Sequence, residues 1–551
     1  RYWGAFYAIA PAFAGGDLDK SYKHFQASLK AAPTWVTLSG PARIRFEPAL
    51  AGLIAQGGAT DRLVISYYAG LDARKVMTAL QARGVIIQAH RDYSRQLDIT
   101  LDPARLREVL ALPFIQFAGL PPEEPTLDGY DHRNASGRAN YLNTGYNSLN
   151  YNGAGVVVGI GESGTVDSLV DVKGRLTEME SGASSSHKIG VMQNAGGAGN
   201  LDPSNRNNAW GATFLSVVGS PDYAALYSSH NLRYTNHSYG VAISGGYDQS
   251  ARDHDLRIAT YPNHLVIYSS GNSGDEQGYA PYNFAGCPGA PSDCWANITG
   301  QMKQNKDMFA IGALELDDDL TSFSSRGPMY DGCIIPQLVI DGIEGTSDAA
   351  PKVTGEVAML AQVYKAKNSG SEPTSSLLRA IMMNTADDLG NAGPDFKHGY
   401  GRPNLRRAYN VIDNAQFLTG SVSHGGTNSH TITVPANTKQ VRVMIVWPDV
   451  AAAVSANPAI VNNLNLLAKD PPLTTSYNPW VLDHSANAAS LDTAATRGVD
   501  SRNTIEQVTV DDPAAGVWNI EVNGANVPTG PQTYYLTYEF LTDELLSLIH
   551  I

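Results

Sequence analysis

Between residues 61 and 118, short apolar runs alternate with amphipathic stretches. The runs are rich in β-branched and aromatic residues, and they predict strands at 63–68, 85–89, 96–101 and 115–118. Two helices are predicted between them, the first after Asp72 and the second after Asp102, because aspartate is a favoured N-cap and Pro103 fits the first helical position. The resulting order β-α-β-β-α-β is that of a ferredoxin-like unit.

From about residue 141 to 415 the pattern changes to continuously apolar runs that end in small or polar residues. Such runs at 155–160, 265–270 and 309–313 predict buried strands of an α/β sheet, and the stretches 352–365 and 375–384 predict helices. In open α/β sheets, ligands and catalytic groups gather at the ends of the strands. The ends of these runs are therefore the first places to look for chemistry.

Beyond about residue 417 the apolar and polar positions alternate, and turn signals separate the runs. This pattern predicts an antiparallel β-sandwich, with strands at 431–434, 440–447, 518–522 and 534–540. A carbohydrate-binding module is the rival interpretation for this part alone. The polar stretch 121–140 is predicted to be a linker.

Composition and charge narrow the class of protein. A chain of 551 residues predicts three or four domains, and its net charge of −14 argues against a nucleic-acid partner. No apolar run is long enough to span a bilayer. The chain begins with Arg1, and an apolar stretch followed by a small-x-small pattern at 12–14 is similar to the end of a secretory signal whose front is lost; the alternative is an ordinary apolar start to a domain. We expect a secreted protein.

Only three cysteines occur. Cys287 and Cys294 are close in sequence and can form one small disulfide, which leaves Cys333 over. A cysteine framework therefore does not define the fold.

The segment Gly345-Thr346-Ser347-Asp348-Ala349-Ala350-Pro351 is the strongest chemical signal. It opens a helix, with Pro351 expected in the tolerant first turn. A serine at that end lies beside free backbone amides at the positive end of the helix dipole, where a nucleophile that creates an oxyanion belongs. The alternative is plain N-capping by a hydroxyl residue.

The extended pattern Gly-Thr-Ser-x-Ala-x-Pro resembles the nucleophile motif of the subtilisin-like serine proteases, the subtilases. The resemblance implies that Ser347 is the nucleophile. A second segment, 265–274, resembles the family's oxyanion motif, in which Asn272 donates its side-chain amide to the oxyanion.

The resemblance places the acid at Glu162 and the catalytic histidine at His187. The family has Asp at the first position, so Asp167 and Asp171 are fallback acids. Two more departures are Lys188, where the family has a small residue, and Asp348 directly after the serine. The loop before Gly345 is also shorter than the family's.

Substrate binding is expected along two segments that resemble the family's peptide-binding edges. Their residues are Ser238, Tyr239, Gly240, Ser270 and Gly271. His237 is expected to be a polar strand residue rather than a catalyst. The chemistry requires no cofactor; the resemblance allows structural calcium, but no metal ligands are identifiable.

The resemblance is to a bacterial subtilase branch with a C-terminal jelly-roll domain, and it covers residues 61–541. It implies the following organisation: signal remnant and leader 1–60, ferredoxin-like propeptide 61–120, linker 121–140, subtilisin-like catalytic domain with a parallel sheet and flanking helices 141–415, and C-terminal antiparallel β-sandwich 416–545. The propeptide is expected to inhibit the enzyme intramolecularly.

The function implied is a secreted serine endopeptidase that acts on proteins or peptides through an acyl-enzyme. Two alternatives belong to other classes. One is a catalytically impaired homologue that binds peptides, which Glu162, Lys188, Asp348 and the short loop favour. The other is a β-sandwich binding protein with an incidental α/β domain.

Overall fold

The computed structural model describes residues 48–121, 136–166, 169–219, 221–284, 294–543 and 545. The predicted signal remnant, most of the linker, Asp167, Cys287 and residues 546–551 lie outside these ranges. The chain forms two compact units, residues 1–130 and 131–551.

The first unit is a four-stranded sheet with helices. Its elements are α1 (Pro48–Ala55), β1 (Arg62–Tyr67), α2 (Ala73–Gln81), β2 (Ile86–Arg91), β3 (Gln96–Thr100), α3 (Leu106–Leu110) and β4 (Ile115–Gly119). The strand order is β2-β3-β1-β4, with antiparallel pairing throughout. The observed element order from β1 to β4 is β-α-β-β-α-β. Its role as a propeptide stays a prediction.

Both predicted caps in this unit form. The side chain of Asp72 accepts a hydrogen bond from the amide of Arg74, and Asp102 accepts one from the amide of Ala104. Asp102 caps a single 3₁₀ turn, residues 103–105, and α3 follows it. A proline directly after the cap fixes φ for that turn, which explains why a helix begins there.

The second unit is built around a seven-stranded parallel sheet, as predicted. Its strands are β5 (Val157–Gly161), β6 (Leu176–Glu178), β7 (Thr213–Val217), β8 (Tyr234–His237), β9 (Leu265–Ser269), β10 (Phe309–Leu314) and β11 (Leu338–Asp341). The strand order is β11-β10-β9-β8-β5-β7-β6. From β5 the chain goes to the outer strand β6, returns to β7, and then adds β8 to β11 in order on the other side of β5. The crevice between β5 and β8 is therefore the topological switch point, where such sheets place their sites.

Helices accompany this sheet. They are α4 (Asn140–Asn143), α5 (Ser186–Gly196), α6 (Tyr223–Ser229), α7 (Gln249–Thr260), α8 (Thr346–Lys367), α9 (Ser375–Asn384) and α10 (Leu405–Asp413). Helix α8 is buried along most of its length and packs against α5, β8, β9 and β10. A helix buried on all sides needs no amphipathic pattern, and its register is therefore set by its neighbours.

One detail of α8 differs from the sequence prediction. The helix begins at Thr346, so Pro351 is its sixth residue and lies beyond the first turn. Proline has no amide hydrogen, so the carbonyl of Ser347 receives no intrahelical bond from it. The proline is accommodated because the surrounding core, not intrinsic propensity, holds this helix.

The C-terminal part contains two four-stranded antiparallel sheets, as predicted. Their orders are β12-β21-β14-β19 and β13-β20-β15-β16, with β12 (Phe417–Val422), β13 (Thr427–Val434), β14 (Gln440–Val446), β15 (Asn463–Lys469), β16 (Ser476–Tyr477), β19 (Ile505–Asp511), β20 (Gly516–Asn526) and β21 (Gln532–Leu541). The short elements β17 (Trp480–Val481), α11 (Ala488–Leu491) and β18 (Thr496–Arg497) lie between β16 and β19. Trp447, Trp518 and Tyr534 are fully buried in one core cluster with residues of both sheets. The jelly-roll topology stays a prediction.

The sandwich and the parallel sheet share buried contacts. Helix α9 packs on β14 and β21, and the guanidinium of Arg407 in α10 pairs with the carboxylates of Glu539 and Asp387. All three groups are buried, and such a charge set is stable only when every member is paired. The sandwich is therefore part of the second unit and not an appended module.

Three observations bear on cofactors, membranes and cysteines. The described residues contain no group of three or more His, Cys, Asp or Glu side chains placed to hold a metal, and structural calcium stays a prediction. A search of the same residues shows no helix with the length and hydropathy to cross a membrane. Cys294 is disulfide-bonded, whereas Cys333 has a free, buried thiol.

Candidate active site

The predicted acid and histidine meet at the switch point. Glu162 directly follows β5 and its side chain is 6% exposed; His187 is the second residue of α5 and its side chain is 54% exposed. His187 Nδ1 donates to Glu162 Oε2 at 2.6 Å. This hydrogen bond is the main cause that raises the pKa of His187. The extra methylene of glutamate therefore does not prevent contact between the two side chains.

The sequence explains why α5 begins beside Glu162. Ser185 is the N-cap, and its hydroxyl accepts from the amide of Lys188 at 3.2 Å. The backbone of Glu162 is held in turn by a bond from its amide to the carbonyl of Val217 in β7 at 3.0 Å. Strand and helix are thus each fixed locally before the two side chains meet.

Lys188, which departs from the family pattern, is a brace under this pair. Its ammonium is fully buried and donates to the carboxylate of Glu180 at 2.6 Å. It also donates to three backbone carbonyls, those of Glu162 at 3.0 Å, Gly164 at 2.9 Å and Val217 at 3.0 Å. One side chain therefore ties the helix of His187 to the strand end of Glu162. Sequence reasoning treated Lys188 only as a mismatch, since its acceptors lie on other elements.

The nucleophile candidate lies at the start of α8. Ser347 is the second residue of the helix, after a Gly345 N-cap at φ 152°, a conformation that favours glycine. The amide of Ser347 is in the first turn, where backbone donors have no intrahelical partner. The Ser347 hydroxyl donates to the carbonyl of Ser238 at 3.0 Å. Within the described residues, no hydrogen bond joins Ser347 to His187.

Asn272 is oriented by the residue before the nucleophile. Its Oδ1 accepts from the Thr346 amide at 2.9 Å and from the Thr346 hydroxyl at 2.8 Å. That hydroxyl also accepts from the amide of Gly271 at 3.2 Å. Because Oδ1 is occupied by two donors, the Asn272 amide NH₂ is the group left for an external acceptor. Thr346 is a second residue whose role sequence reasoning missed.

Near the nucleophile, the partly buried Asp348 and the buried Lys352 form a polar group. Lys352 Nζ donates to Asp341 Oδ2 at 2.6 Å and lies 3.6 Å from Asp348 Oδ2. Asp348 also accepts from the side chain of Asn194 in α5. Burial is the main cause that raises the pKa of Asp348. The departure at Asp348 thus gives a contact between the nucleophile helix and the histidine helix.

The shortened loop still reaches the site. β11 ends at Asp341, and the amide of Gly345 donates to the carbonyl of Gly342 at 3.0 Å. This turn leads into α8 without any further strand. The shortened loop is therefore a single turn that joins β11 to the helix that carries Ser347.

Of the two fallback acids, Asp171 is hydrogen-bonded to residues other than His187, and Asp167 lies outside the described residues. Asp171 accepts from the Gln193 side chain at 2.8 Å and from the amide of Asn200 at 2.6 Å. His237 is fully buried, and desolvation lowers its pKa to about 3, so it stays neutral. The expectation that His237 is a strand residue agrees with its place at the end of β8.

The two predicted peptide-binding edges lie beside the nucleophile. Ser238, Tyr239 and Gly240 follow β8, and Ser270 and Gly271 follow β9. Ser238 contacts Ser347, and Gly271 contacts Thr346. The structure therefore brings both edges to the start of α8.

Comparison with known proteins identifies a protein family, curated relatives and solved structures to which this chain is similar. A model of the subtilase family matches residues 153–401. Two Dictyostelium discoideum proteins, the serine protease/ABC transporter B family proteins tagA and tagB, are each 22% identical to this chain, over 38% and 40% of its length. The matched regions are 12% and 16% of those relatives, so the chain spans only a small part of either.

Two solved structures are also similar. The serine protease of Aeromonas sobria is 14% identical, with a TM-score of 0.38, and the match covers 72% of this chain and 91% of that one. Fervidolysin from Fervidobacterium pennivorans, a keratinolytic enzyme related to subtilisin, is 16% identical, with a TM-score of 0.35, covering 88% and 93%. The family model covers the parallel-sheet region, and by that match this chain contains a domain of the subtilase family at residues 153–401.

Proposed function

We propose that the chain is a secreted serine endopeptidase that cleaves peptide bonds through an acyl-enzyme. The observation that carries this proposal is the 2.6 Å contact of Glu162 with His187 at the switch point, on the same crevice as Ser347. In the proposed reaction, Ser347 attacks the peptide carbonyl, and His187 takes its proton and later gives it to the leaving amine.

Glu162 has an orienting role in this scheme. By accepting from Nδ1, its carboxylate leaves Nε2 of His187 as the nitrogen that can accept a proton. The positive charge that forms on the imidazole during attack is stabilised by the same carboxylate. A raised pKa of His187 is consistent with this role, since the charged imidazolium is the state that Glu162 favours.

The oxyanion is held by the Asn272 side-chain amide and the backbone amide of Ser347. Both are fixed before substrate binds: Asn272 by Thr346, and the Ser347 amide by its place in the first helical turn. Donors that are already oriented need no reorganisation as charge develops.

Substrate binding releases the nucleophile. In the free protein the Ser347 hydroxyl is engaged with the Ser238 carbonyl. A peptide that adds as a strand along 238–240 uses edge carbonyls as acceptors for its own amides. Once a substrate amide occupies the Ser238 carbonyl, a rotation about χ1 lets the Ser347 hydroxyl turn toward His187.

The test is a comparison of three purified proteins: wild type, Ser347→Ala and the control Ser371→Ala, which changes an exposed serine. We expect wild type and the control to cleave casein and to react with a serine-directed fluorophosphonate, and Ser347→Ala to do neither. Wild type that is neither labelled nor active would favour the peptide-binding, catalytically impaired alternative. Equal cleavage by Ser347→Ala would show that the nucleophile is another residue.

A further inference from the structure

Lys303 is a buried lysine for which the described part of the chain supplies no charged partner. It lies in the short 3₁₀ turn Gln301–Gln304 and is fully buried. Among the residues that the structure describes, its ammonium has one hydrogen-bond acceptor, the hydroxyl of Thr299 at 3.4 Å, and it lies 6.0 Å from the centre of the Tyr268 ring. No carboxylate in the described ranges forms an ion pair with it.

A buried ammonium without an opposite charge lowers the stability of the fold. Buried charges are normally paired with an opposite charge or bound to a ligand, because a lone ammonium loses its hydration and gains little in return. Desolvation alone lowers the pKa of Lys303 to about 7. A negative charge brought close to it would favour the ammonium form.

Thr299 connects this lysine to the cleft. The amide of Thr299 donates to the carbonyl of Ser270 at 3.1 Å, which ties it to the second peptide-binding edge. Thr299 also pairs with Ile243, three residues beyond the first edge. The segment around Thr299 is therefore joined directly to the second edge and to the chain just beyond the first edge.

The side chain of Thr299 lies between the two edges. A Cβ atom added at Gly240 or at Gly271 would collide with Thr299 Oγ1. These glycines belong to opposite edges, and their lack of side chains leaves the hydroxyl between two bare stretches of backbone. The Thr299 hydroxyl therefore lies directly against both edges.

The surroundings of Thr299 are polar, and some of their hydrogen-bonding groups are not used. Two hydroxyls on the segments bonded to Thr299, those of Ser244 and Ser270, are buried and have no hydrogen-bond partner among the residues that the structure describes. Thr299 accepts a hydrogen bond from the lysine, so its own hydroxyl proton is available to an acceptor in the cleft.

We propose that Thr299 and Lys303 form a specificity site for an acidic substrate side chain, aspartate or glutamate, next to the bond that is cleaved. The substrate carboxylate accepts from the Thr299 hydroxyl, and the Lys303 ammonium directly behind it supplies the missing opposite charge. This inference rests on the proposed peptide-binding function of the same cleft. It adds the class of side chain that the cleft selects.

Substrates of nearly equal shape but different charge show whether the site recognises the charge of the substrate side chain. Fluorogenic peptides that differ only at the residue before the scissile bond are compared as Asp against Asn and Glu against Gln. We expect kcat/KM for the better acidic peptide to exceed that of its amide analogue by about tenfold or more, the range for a hydrogen bond to a charged group. Lys303→Met keeps the length of the side chain without its charge and should reduce this ratio to about one. Lys365→Met, which changes a lysine paired with Glu372, should keep the wild-type ratio.

A binding measurement keeps the inference separate from the activity. Ser347→Ala protein is titrated with the same peptides by fluorescence anisotropy, and it should bind the acidic peptide about tenfold or more tightly than the amide analogue. Tight but charge-independent binding, or a ratio that survives in Lys303→Met, would overturn the inference while leaving the peptidase proposal intact. Selective binding without cleavage by wild type would overturn the peptidase proposal and support the specificity site. If Lys303→Met does not fold, Thr299→Val serves instead, because it removes the hydroxyl and should also abolish the preference.

Discussion

In the half of the candidate site that contains Glu162 and His187, hydrogen bonds hold both the strand end and the helix. In the half that contains Ser347, the hydroxyl donates to a residue other than His187. Glu162 and His187 are in contact, and Lys188 holds the strand and the helix that carry them. Ser347 is on a rigid helix, but its hydroxyl donates to Ser238 and not to His187. The difference shows that the fold fixes the positions of these residues but leaves the direction of the Ser347 hydroxyl to its side-chain conformation. In the proposed mechanism, a rotation of that side chain forms the last hydrogen bond, to His187.

The largest effect is expected from removing the acid. Glu162→Ala should lower kcat/KM by up to about 10⁴-fold, because the imidazole loses both its orientation and its stabilising charge. Glu162→Asp should preserve or raise activity, and kcat/KM on one peptide measures all variants. Asp171→Asn is the matched control, a buried carboxylate that does not contact His187, and should leave catalysis unchanged. If Glu162→Ala is as active as wild type, the orienting acid is another residue.

The next effect concerns the nucleophile half. Asn272→Ala should lower kcat by about 10²–10³-fold with little change in KM, because its amide acts on the oxyanion and not on the bound substrate. Thr346→Val tests the orientation of that amide, since it removes the hydroxyl that donates to Asn272 Oδ1. We expect a smaller loss in this variant, because the Thr346 amide still holds Oδ1. A loss confined to KM in Asn272→Ala would contradict the oxyanion role.

Removing the Lys188 ammonium should lower kcat by about 10²-fold, the typical effect of misplacing a catalytic group by about 1 Å. Lys188→Met removes the ammonium but also leaves the Glu180 carboxylate buried and unpaired, which destabilises the fold. The double variant Lys188→Met/Glu180→Gln removes that second problem. We expect it to regain thermal stability, measured by Tm, without regaining kcat. Recovery of both would mean that Lys188 is only structural.

The smallest effect is a shift in pH dependence. His187 must be neutral to accept a proton, so activity falls as pH falls through its pKa, which the Glu162 contact holds above the usual value of about 6.5. Glu162→Gln removes the charge and should move the acid limb of kcat/KM to lower pH. Profiles measured over about pH 5–9 show the shift. An unchanged limb would indicate that another group titrates there.

The sequence by itself determined the main elements of the fold and supplied the candidates for the reacting residues. Alternating and continuous apolar runs predicted the ferredoxin-like order, the buried strands and the two C-terminal sheets, because burial on one or both faces of a sheet leaves a period in the chain. The motif around Ser347 and the polar ends of the strands located the candidate residues. These signals are local, and a local signal can be read without the fold.

Only the tertiary structure decided how those residues meet. The contact of Glu162 with His187, the four acceptors of Lys188 and the position of Thr299 between two glycines join segments that are distant in sequence. Pro351 is a second example. The sequence predicted it in the first turn of α8, but the helix begins at Thr346 and core packing holds the proline beyond that turn. A side chain's chemistry is set by what surrounds it, and in a parallel sheet the neighbours at one strand end come from different crossovers of the chain.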